Sequence, residues 1–492
     1  MPPNILFIMA DDHAAHAVSA YGSKINSTPH IDRIAAGGML LENCFCTNSL
    51  CAPSRATILT GTYNHVNRVQ TLATEFDNRQ LVYPQLLREV GYQTALVGKW
   101  HLGHGPSHDP RGFDYWEVVP GQGRYRDPVF IGMDGTETVR PGYCTNIISD
   151  LAVDWLDRRD PERPFCLLVH HKAPHRNWEP DDKHRDMYVD DDIPVPHTFT
   201  DDHSGHAAAA RAARMRVDRD LTTNDVKALL PPHLDADEAA LWNYQRYIKD
   251  YLRCVASVDD NVGRLLDYLD EHGLTDDTIV VYTSDQGFFL GDHGWYDKRF
   301  MYEESLRMPF LIRYPAEIAP GSSCAALAMN VDFAQTFLDF AGVPADERMQ
   351  GRSLRPLLNG QDVEDWRQSV YYRYWEHDDS EHHVWAHYGV RTHDHKLVFY
   401  YADGMGLPGT SSSREAPEWE LFDLKADPWE LRSVYDDPAY AEVRATLLEE
   451  LARVQQECGD RPWTPPGQDT TAQDEAGPIR RDGDGMDQRR DG

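Results

Sequence analysis

Short apolar runs alternate with amphipathic helical segments over most of this chain, and that alternation restricts the folds it can adopt. Five runs have the length and apolar character of buried strands, namely residues 5–9, 94–97, 165–169, 278–283 and 310–313. Segments with apolar residues at helical spacing lie among these runs, at residues 30–37, 53–59, 83–90, 146–157 and 244–271. Strands that alternate with helices indicate the α/β class, with a large, mostly parallel sheet sandwiched by helices.

The character of the sequence changes near residue 357. We expect an N-terminal α/β domain at residues 1–356, interrupted by a polar, acidic insertion at 174–232. Residues 357–463 predict a small α+β subdomain, with antiparallel strands at 370–375, 387–392, 396–401 and 420–423 and a closing helix at 440–456. Residues 464–492 are mostly Gly, Asp, Arg and Pro, which predicts a disordered tail.

Charge and cysteine usage limit the partners of the chain. Eighty acidic residues against 48 basic residues give a formal charge of −32 at pH 7, which argues against nucleic acids and anionic membranes. An anionic substrate would therefore need its own cluster of cations. The eight cysteines are sparse and form no CxxC pair, so they do not indicate a disulfide framework.

The apolar run near the N-terminus is too short for a membrane span or for the core of a signal peptide. No later run reaches the length of a span. We therefore expect the chain as given to be soluble and cytoplasmic, or secreted or periplasmic if a leader has been removed.

Carboxylates follow two of the predicted strands. Asp11 and Asp12 come directly after the first strand, and Asp285 and Gln286 follow the run at 278–283. An isolated Asp pair is more often a turn or a helix cap, but ligands of open α/β sheets bind at the carboxyl ends of strands. Three carboxylates and an amide that meet there would suit Ca²⁺ or Mg²⁺ and not zinc.

Cys51 begins the most specific local segment of the chain, Cys51-Ala52-Pro53-Ser54-Arg55. Proline suits the first turn of a helix, so the cysteine is expected at the positive end of that helix, where a thiol is acidified. Arg55 can fold back over the same turn. Taken alone, the segment also fits a buried structural cysteine before a helix.

This segment, continued through Gly61, resembles the modification signature of the type I sulfatases, in which the cysteine is converted to Cα-formylglycine. Segments at 3–12, 28–32, 98–103 and 284–287 resemble the same family in the same order. Five such matches in order make a chance resemblance implausible. The chain is similar, over roughly residues 3–430, to the type I sulfatases of the alkaline-phosphatase-like superfamily.

The resemblance implies that Cys51 is oxidised by a formylglycine-generating maturation enzyme and then attacks a sulfate monoester. One hydroxyl of the hydrated aldehyde would attack sulfur, and the other would later lose a proton so that sulfate is expelled. The resemblance also implies a Ca²⁺ ion, with Mg²⁺ less favoured, and its ligands would be Asp11, Asp12, Cys51, Asp285 and Gln286. Many relatives have Asn where this chain has Gln286, and Gln keeps the amide oxygen.

Further catalytic roles follow from the same resemblance. Lys99 and Lys298 would clamp the sulfate group, and His101 would be the base for the hemiacetal hydroxyl. His175 would protonate the leaving alkoxide, a step in which general-acid help is worth roughly 10²–10⁴-fold in rate. Arg55 completes the predicted catalytic set.

The segments at 287–304, 387–392 and 420–424 resemble bacterial carbohydrate sulfatases of the N-acetylglucosamine-6-sulfatase kind. Six polar or aromatic side chains are candidates for contacts with a sugar, with ordinary loop chemistry as the alternative for each: Arg176, Trp178, Asp292, His293, Trp295 and His387. The resemblance thus implies a sulfatase acting on sulfated carbohydrates, such as fragments of glycosaminoglycans or mucins. The alternatives are a phosphonate or phosphate monoester hydrolase of the same superfamily and a catalytically silent glycan-binding relative.

Overall fold

A computed structural model describes residues 2–467 of the chain. Residues 468–492, which form most of the predicted disordered tail, lie outside the described residues. Within residues 2–467, none of the helices combines the length and the apolar character that a membrane crossing demands.

The strands within residues 2–467 are, in chain order, β1 (Asn4–Ala10), β2 (Met39–Leu41), β3 (Cys44–Phe45), β4 (Gln93–Lys99), β5 (Tyr115–Val119), β6 (Val129–Gly132), β7 (Glu137–Val139), β8 (Phe165–His170), β9 (Thr278–Ser284), β10 (Phe289–Leu290), β11 (Tyr296–Asp297), β12 (Phe310–Arg313), β13 (Ser322–Cys324), β14 (Ala328–Met329), β15 (Ser369–Tyr374), β16 (His387–Thr392), β17 (His395–Tyr400) and β18 (Glu418–Asp423). The α-helices of the same residues are α1 (Pro29–Ala36), α2 (Cys51–Thr60), α3 (Asn64–Asn67), α4 (Tyr83–Glu89), α5 (Cys144–Arg158), α6 (Ala208–Ala212), α7 (Thr223–Val226), α8 (Ala236–Glu271), α9 (Glu303–Leu306), α10 (Phe333–Phe340), α11 (Arg355–Leu358) and α12 (Ala441–Cys458).

The large sheet has ten strands in the order β13-β2-β12-β9-β1-β8-β4-β5-β6-β7. Its centre, from β9 to β5, is parallel, whereas β12 runs antiparallel to β9 and the strands β6 and β7 pair antiparallel at the far edge. The predicted α/β class with a mostly parallel sheet is therefore confirmed. The five predicted strands are all present, as β1, β4, β8, β9 and β12.

Helices cover both faces of this sheet because the side chains of a strand alternate between its faces. In β1, Ile5, Phe7 and Met9 pack into one apolar cluster, which also contains residues of α2, α4 and α10. Leu6 and Ile8 pack into a second cluster with residues of α1, α5 and α8. The sheet is thus sandwiched between two helical layers.

The helix α8 begins earlier than the apolar pattern predicts. Asp235 caps it by accepting hydrogen bonds from the backbone of Asp237 and Glu238, at 3.0 and 2.9 Å. The first two turns are largely exposed, so their residues do not continue the buried apolar stripe on which the prediction of residues 244–271 depended.

A separate four-stranded antiparallel sheet follows, in the order β15-β16-β17-β18. Val370, Tyr372 and Tyr400 on one face of this sheet belong to the core of the large domain. Tyr371 and Val390, on the other face, pack with residues of α12. The C-terminal sheet is therefore fixed to the larger domain by a shared core, and the domain bounds drawn from the sequence stay a prediction.

Candidate active site

Two adjacent strands of the central sheet bring carboxylates to one point. The strands β1 and β9 are parallel neighbours, with Ala10 beside Ser284, so the residues that follow them leave the sheet together. Asp11, Asp12 and Asp285 each place one carboxylate oxygen within 4.8 Å of the others, and all three side chains are buried. The structure thus joins the two acidic segments into one cluster.

Cys51 is the first residue of α2, a helix that is buried along its whole length. Its Sγ lies 3.5 Å from a carboxylate oxygen of Asp11 and 3.5 Å from the Nζ of Lys298. The sulfur therefore marks the place that the oxygens of a formylglycine side chain would take. Burial, and after it the carboxylate of Asp11, raise the pKa of the Cys51 thiol far above its ordinary value. This corrects the acidified thiol expected from the sequence, because burial and a neighbouring anion outweigh the helix terminus.

Two buried lysines balance two of the carboxylates. Lys99 forms an ion pair with Asp11 and also donates to the amide oxygen of Gln122, while Lys298 forms an ion pair with Asp12. Burial alone would raise the pKa of Asp11, but the cations that face it, Lys99 first, hold this pKa well below its usual range. Because the chain is strongly acidic, a site for an anionic substrate needs its own cluster of cations. These two lysines provide such cations.

Arg55 balances the third carboxylate. Its Nε and Nη2 donate to Asp285 at 3.0 and 2.9 Å, and its Nη1 donates to the backbone oxygen of Lys99 at 2.8 Å. The guanidinium is 1% exposed. Arg55 therefore links the start of α2 to the ends of both β9 and β4.

A glycine next to Lys99 shapes the end of β4. Gly98 has a φ of +101°, and a Cβ at this position would lie 2.0 Å from the backbone oxygen of His170. Glycine is therefore required where β4 approaches β8. Beyond it, His101 also adopts a positive φ of 56°, and its Nδ1 is buried without a hydrogen-bond partner among the described residues. Burial, followed by the charge of Lys99, lowers the pKa of His101 well below its ordinary value.

The oxygens of the acidic cluster fit a divalent cation. Within residues 2–467, Asp12 Oδ2 and Gln286 Oε1 are buried and have no hydrogen-bond partner, while the amide nitrogen of Gln286 donates to Asp12. Burial raises the pKa of Asp12 to about 8, although Lys298 opposes this. Unpaired buried oxygens are costly, and a hard cation such as Ca²⁺ or Mg²⁺ would satisfy them. Asp11, Asp12, Asp285 and Gln286 are thus suited to hold such an ion.

The ring of His175 is held in one orientation beside this cluster. Its Nδ1 donates to the backbone oxygen of Arg176 at 2.6 Å, and its own backbone oxygen accepts from Tyr125 at 2.6 Å. Its Nε2 lies 3.7 Å from Asp12 Oδ2. The Nε2 atom is therefore the one that faces the site and can exchange a proton there.

A cavity of about 1090 Å³ leads to Cys51. His175, Arg176 and Lys298 also line it. Arg176 is held there by Asp225, whose carboxylate accepts from its Nη2 at 2.7 Å. Of the six candidate contacts with a sugar, Arg176 is the one that the structure brings to this cavity.

The structure does not bring the other five candidates to the lining of this cavity. Trp178, His293, Trp295 and His387 are fully buried, and Asp292 lines a different cavity, where it pairs with His16. Their surroundings explain this placement, because the four rings pack in aromatic clusters of the core. For example, the ring of Trp295 stacks on Phe300 at 4.9 Å.

Several residues that line the cavity were not singled out from the sequence. One group comes from the loop after β5 and the turn before His175: Gln122, Arg124 and Lys172. The other joins the end of β11 and the residues after it to the C-terminal part: Asp297, Arg299, Glu376, Asp379, Glu381 and His382. Lys172 stands three residues before His175, and this proximity could have drawn attention to it. The second group depends on how the C-terminal sheet docks, which no local pattern reveals.

Comparison with known proteins agrees with this geometry. The family model described as sulfatase matches residues 3–343, and a model described as N-sulphoglucosamine sulphohydrolase, C-terminal, matches residues 291–457. An N-acetylglucosamine-6-O-sulfatase of Bacteroides thetaiotaomicron is 43% identical to the chain over 503 residues, covering 93% of this chain and 87% of the relative.

Solved structures are also similar to this chain. A protein in complex with its substrate, D-glucosamine-2-N,6-O-disulfate, is 42% identical and superposes with a TM-score of 0.88, covering 93% of this chain and 98% of that chain. The phosphonate monoester hydrolase of Agrobacterium radiobacter, at 22% identity, shares the fold, with a TM-score of 0.71 and coverage of 93% and 96%. The family match over most of the chain, together with the cluster around Cys51, shows that this chain belongs to the sulfatase family and is a sulfuric ester hydrolase.

Proposed function

We propose that this enzyme hydrolyses the 6-O-sulfate ester of glucosamine or N-acetylglucosamine in sulfated glycan fragments. The observation that carries this proposal is the 43% identity, over nearly the whole chain, to an N-acetylglucosamine-6-O-sulfatase. The cavity supports it, because a space of about 1090 Å³ lined by polar side chains is large enough for a sugar and ends at Cys51.

The proposal includes one metal ion and one modified residue. Asp11, Asp12, Asp285 and Gln286, with the modified Cys51, would hold Ca²⁺, which would neutralise charge on the sulfate and on the attacking oxygen. Formylglycine at position 51, made by a maturation enzyme, would supply an oxygen nucleophile and a route for releasing sulfate.

The remaining residues bind the sulfate and move protons. Lys99 and Lys298 flank Cys51 and would hold the sulfate oxygens through charged hydrogen bonds. Arg55 donates two hydrogen bonds to Asp285 and thereby keeps this buried carboxylate in place. The two lysines act on a group that carries negative charge in both the ground state and the transition state.

Two histidines would handle protons on opposite sides of the reaction. In its doubly protonated form, His175 would donate from Nε2 to the oxygen of the leaving sugar and keep its Nδ1–H on the backbone oxygen of Arg176. His101, whose Nδ1 has no hydrogen-bond partner among residues 2–467, would accept the proton of the hydroxyl at position 51. A sugar alkoxide is a poor leaving group, so the proton from His175 matters most for sugar substrates.

The direct test is sulfate release from defined sulfated monosaccharides. The enzyme, produced together with a formylglycine-generating enzyme, should release sulfate from N-acetylglucosamine 6-sulfate, and the Cys51→Ala variant should release none. The 3-sulfated isomer and galactose 6-sulfate are the matched controls. Failure to cleave the 6-sulfate while another of these esters is cleaved would overturn the proposed substrate.

The two alternatives raised by the sequence are not proposed. Similarity to the phosphonate monoester hydrolase is limited to the fold. A silent glycan-binding protein would have no need for the three cations that pair with buried carboxylates around Cys51. An assay of phenyl phosphonate beside the sugar sulfates would expose the first alternative.

A further inference from the structure

Lys172 is a buried cation of the cavity wall that has no carboxylate partner in the described part of the chain. It is 4% exposed, lines the cavity, and forms no ion pair or side-chain hydrogen bond within residues 2–467. Its Nζ lies 4.6 Å from the centre of the Tyr125 ring, a cation–π contact that compensates only part of the lost hydration. Buried charges are normally paired, so an unpaired one in a binding cavity indicates a missing anion.

The other buried cations of the site differ from Lys172 in this respect. Lys99, Lys298 and Arg55 are each bonded to a carboxylate of the acidic cluster. In a chain with a net charge of −32, carboxylates are plentiful, yet none within residues 2–467 forms an ion pair with Lys172. Burial, and after it the charge of Lys99, lower the pKa of Lys172 to about 8, which leaves most of the lysine charged at pH 7.

The position of Lys172 is fixed relative to the reacting groups. The backbone N–H of His175 donates to the backbone oxygen of Lys172 at 3.0 Å, which ties both residues into one turn. On the other side, the loop that carries Gly123 packs against the Lys172 side chain, where a Cβ on the glycine would lie 3.6 Å from Lys172 Cδ. Arg124 in this loop is exposed, lines the same cavity and makes no ion pair among the described residues.

Another part of the cavity lining is acidic and would repel an anion. Asp297, Glu376, Asp379 and Glu381 line it, with Arg299 and His382 as the cations among them. Those cations are already engaged: Arg299 contacts Glu376 at 3.2 Å, and His382 contacts Asp379 at 2.9 Å. A substrate with two anionic groups can therefore place the second one favourably beside Lys172 and not beside the acidic residues.

We propose that Lys172, with Arg124 at the mouth, forms a second anion subsite that binds a sulfate or carboxylate group other than the ester being cleaved. This inference rests on the proposed function and narrows it to sugars that carry a second negative group. Two sources have the required chemistry, namely a 2-N-sulfate on the same glucosamine and the carboxylate of a linked uronic acid.

Steady-state kinetics on three substrates test the subsite and separate the two sources. The substrates are N-acetylglucosamine 6-sulfate, glucosamine 2-N,6-O-disulfate, and a disaccharide of N-acetylglucosamine 6-sulfate with a uronic acid. Wild-type enzyme should show a higher kcat/KM for at least one dianionic substrate, and that substrate identifies the group bound. In Lys172→Met this preference should fall by about tenfold to hundredfold, because the variant loses one charged hydrogen bond to the substrate. The fall should come mainly from a higher KM for the dianionic substrate.

Three comparisons make the test decisive. Lys172→Arg should restore most of the preference, and Lys183→Met, which removes an exposed lysine paired with Asp260, should leave it unchanged. If Lys172→Met does not fold, as judged by circular dichroism, Arg124→Met replaces it and should lower the preference in the same direction. No preference in the wild type, or equal losses on all three substrates, would overturn the subsite. Absence of activity on all three would instead refute the proposed function.

Discussion

Replacing Arg55 by Met should destabilise the protein strongly, because the substitution leaves a buried carboxylate without its partner. The guanidinium makes two hydrogen bonds to Asp285 and one to the backbone of Lys99, and both Arg55 and Asp285 are almost fully buried. Methionine fills much of the same volume, so the main loss is electrostatic and not a cavity.

The size of the effect follows from burial. Removing one partner of a buried ion pair typically costs about 3–5 kcal/mol in the free energy of unfolding. A matched control is Arg348→Met, which removes a similar two-bond contact with Asp346 at the surface, where the arginine side chain is 67% exposed. Exposed pairs of this kind contribute less than about 1 kcal/mol.

Urea unfolding of both variants, in the presence of a chelator, measures the two costs under the same conditions. The chelator matters, because a bound cation near Asp285 would replace part of the charge that Arg55 supplies. We expect Arg55→Met to lose at least about 3 kcal/mol and the control to stay within about 1 kcal/mol of wild type. Equal losses would refute the view that these carboxylates depend on buried cations.

Three further outcomes are expected. His175→Ala should lower kcat/KM for sugar sulfates by roughly 10²–10⁴-fold but affect aryl sulfates with good leaving groups far less, and equal losses would remove its role as an acid. Removing the metal with a chelator and gel filtration should reduce sulfate release by about two orders of magnitude or more, since the metal polarises the sulfate. Adding Ca²⁺ should restore the activity. An enzyme indifferent to chelators would contradict the metal assignment. Burial disfavours the charged form of His206, but a hydrogen bond to Asp201 and the carboxylate of Glu420, 3.7 Å away, outweigh it and raise the pKa of His206 to about 9 from an ordinary 6.5. Protonated His206 should therefore stabilise the folded state fully below pH 6.5, and this contribution to the free energy of unfolding should fall by about 3 kcal/mol as the pH rises through 9. Urea unfolding should show this fall for the wild type but not for His206→Gln.

The central strands were predictable because each is buried on both faces and therefore reads as an apolar run. The edge strands were not, since β7 is exposed at every residue and β13 is at most half-buried. Short edge strands carry no apolar signature, and their pairing depends on the neighbouring chain.

The acidic cluster was predictable for a topological reason, since residues that follow adjacent parallel strands leave the sheet at the same edge. Apart from Arg176, the candidate sugar contacts do not line the cavity. The sequence could not show this, because aromatic residues in a motif look alike whether they stack on a ligand or in the core. Trp295 and His387 pack in the core, while Lys172, Glu376 and Asp379 line the cavity. Two of those three come from the C-terminal part, and its docking is a property of the whole fold.

A crystal structure of the calcium-loaded enzyme tests the central claim most directly. We predict one calcium ion about 2.3–2.6 Å from oxygens of Asp11, Asp12, Asp285 and Gln286, with the side chain at position 51 completing its coordination. A structure at saturating calcium that places the ion elsewhere, or shows none among these four side chains, would contradict the account.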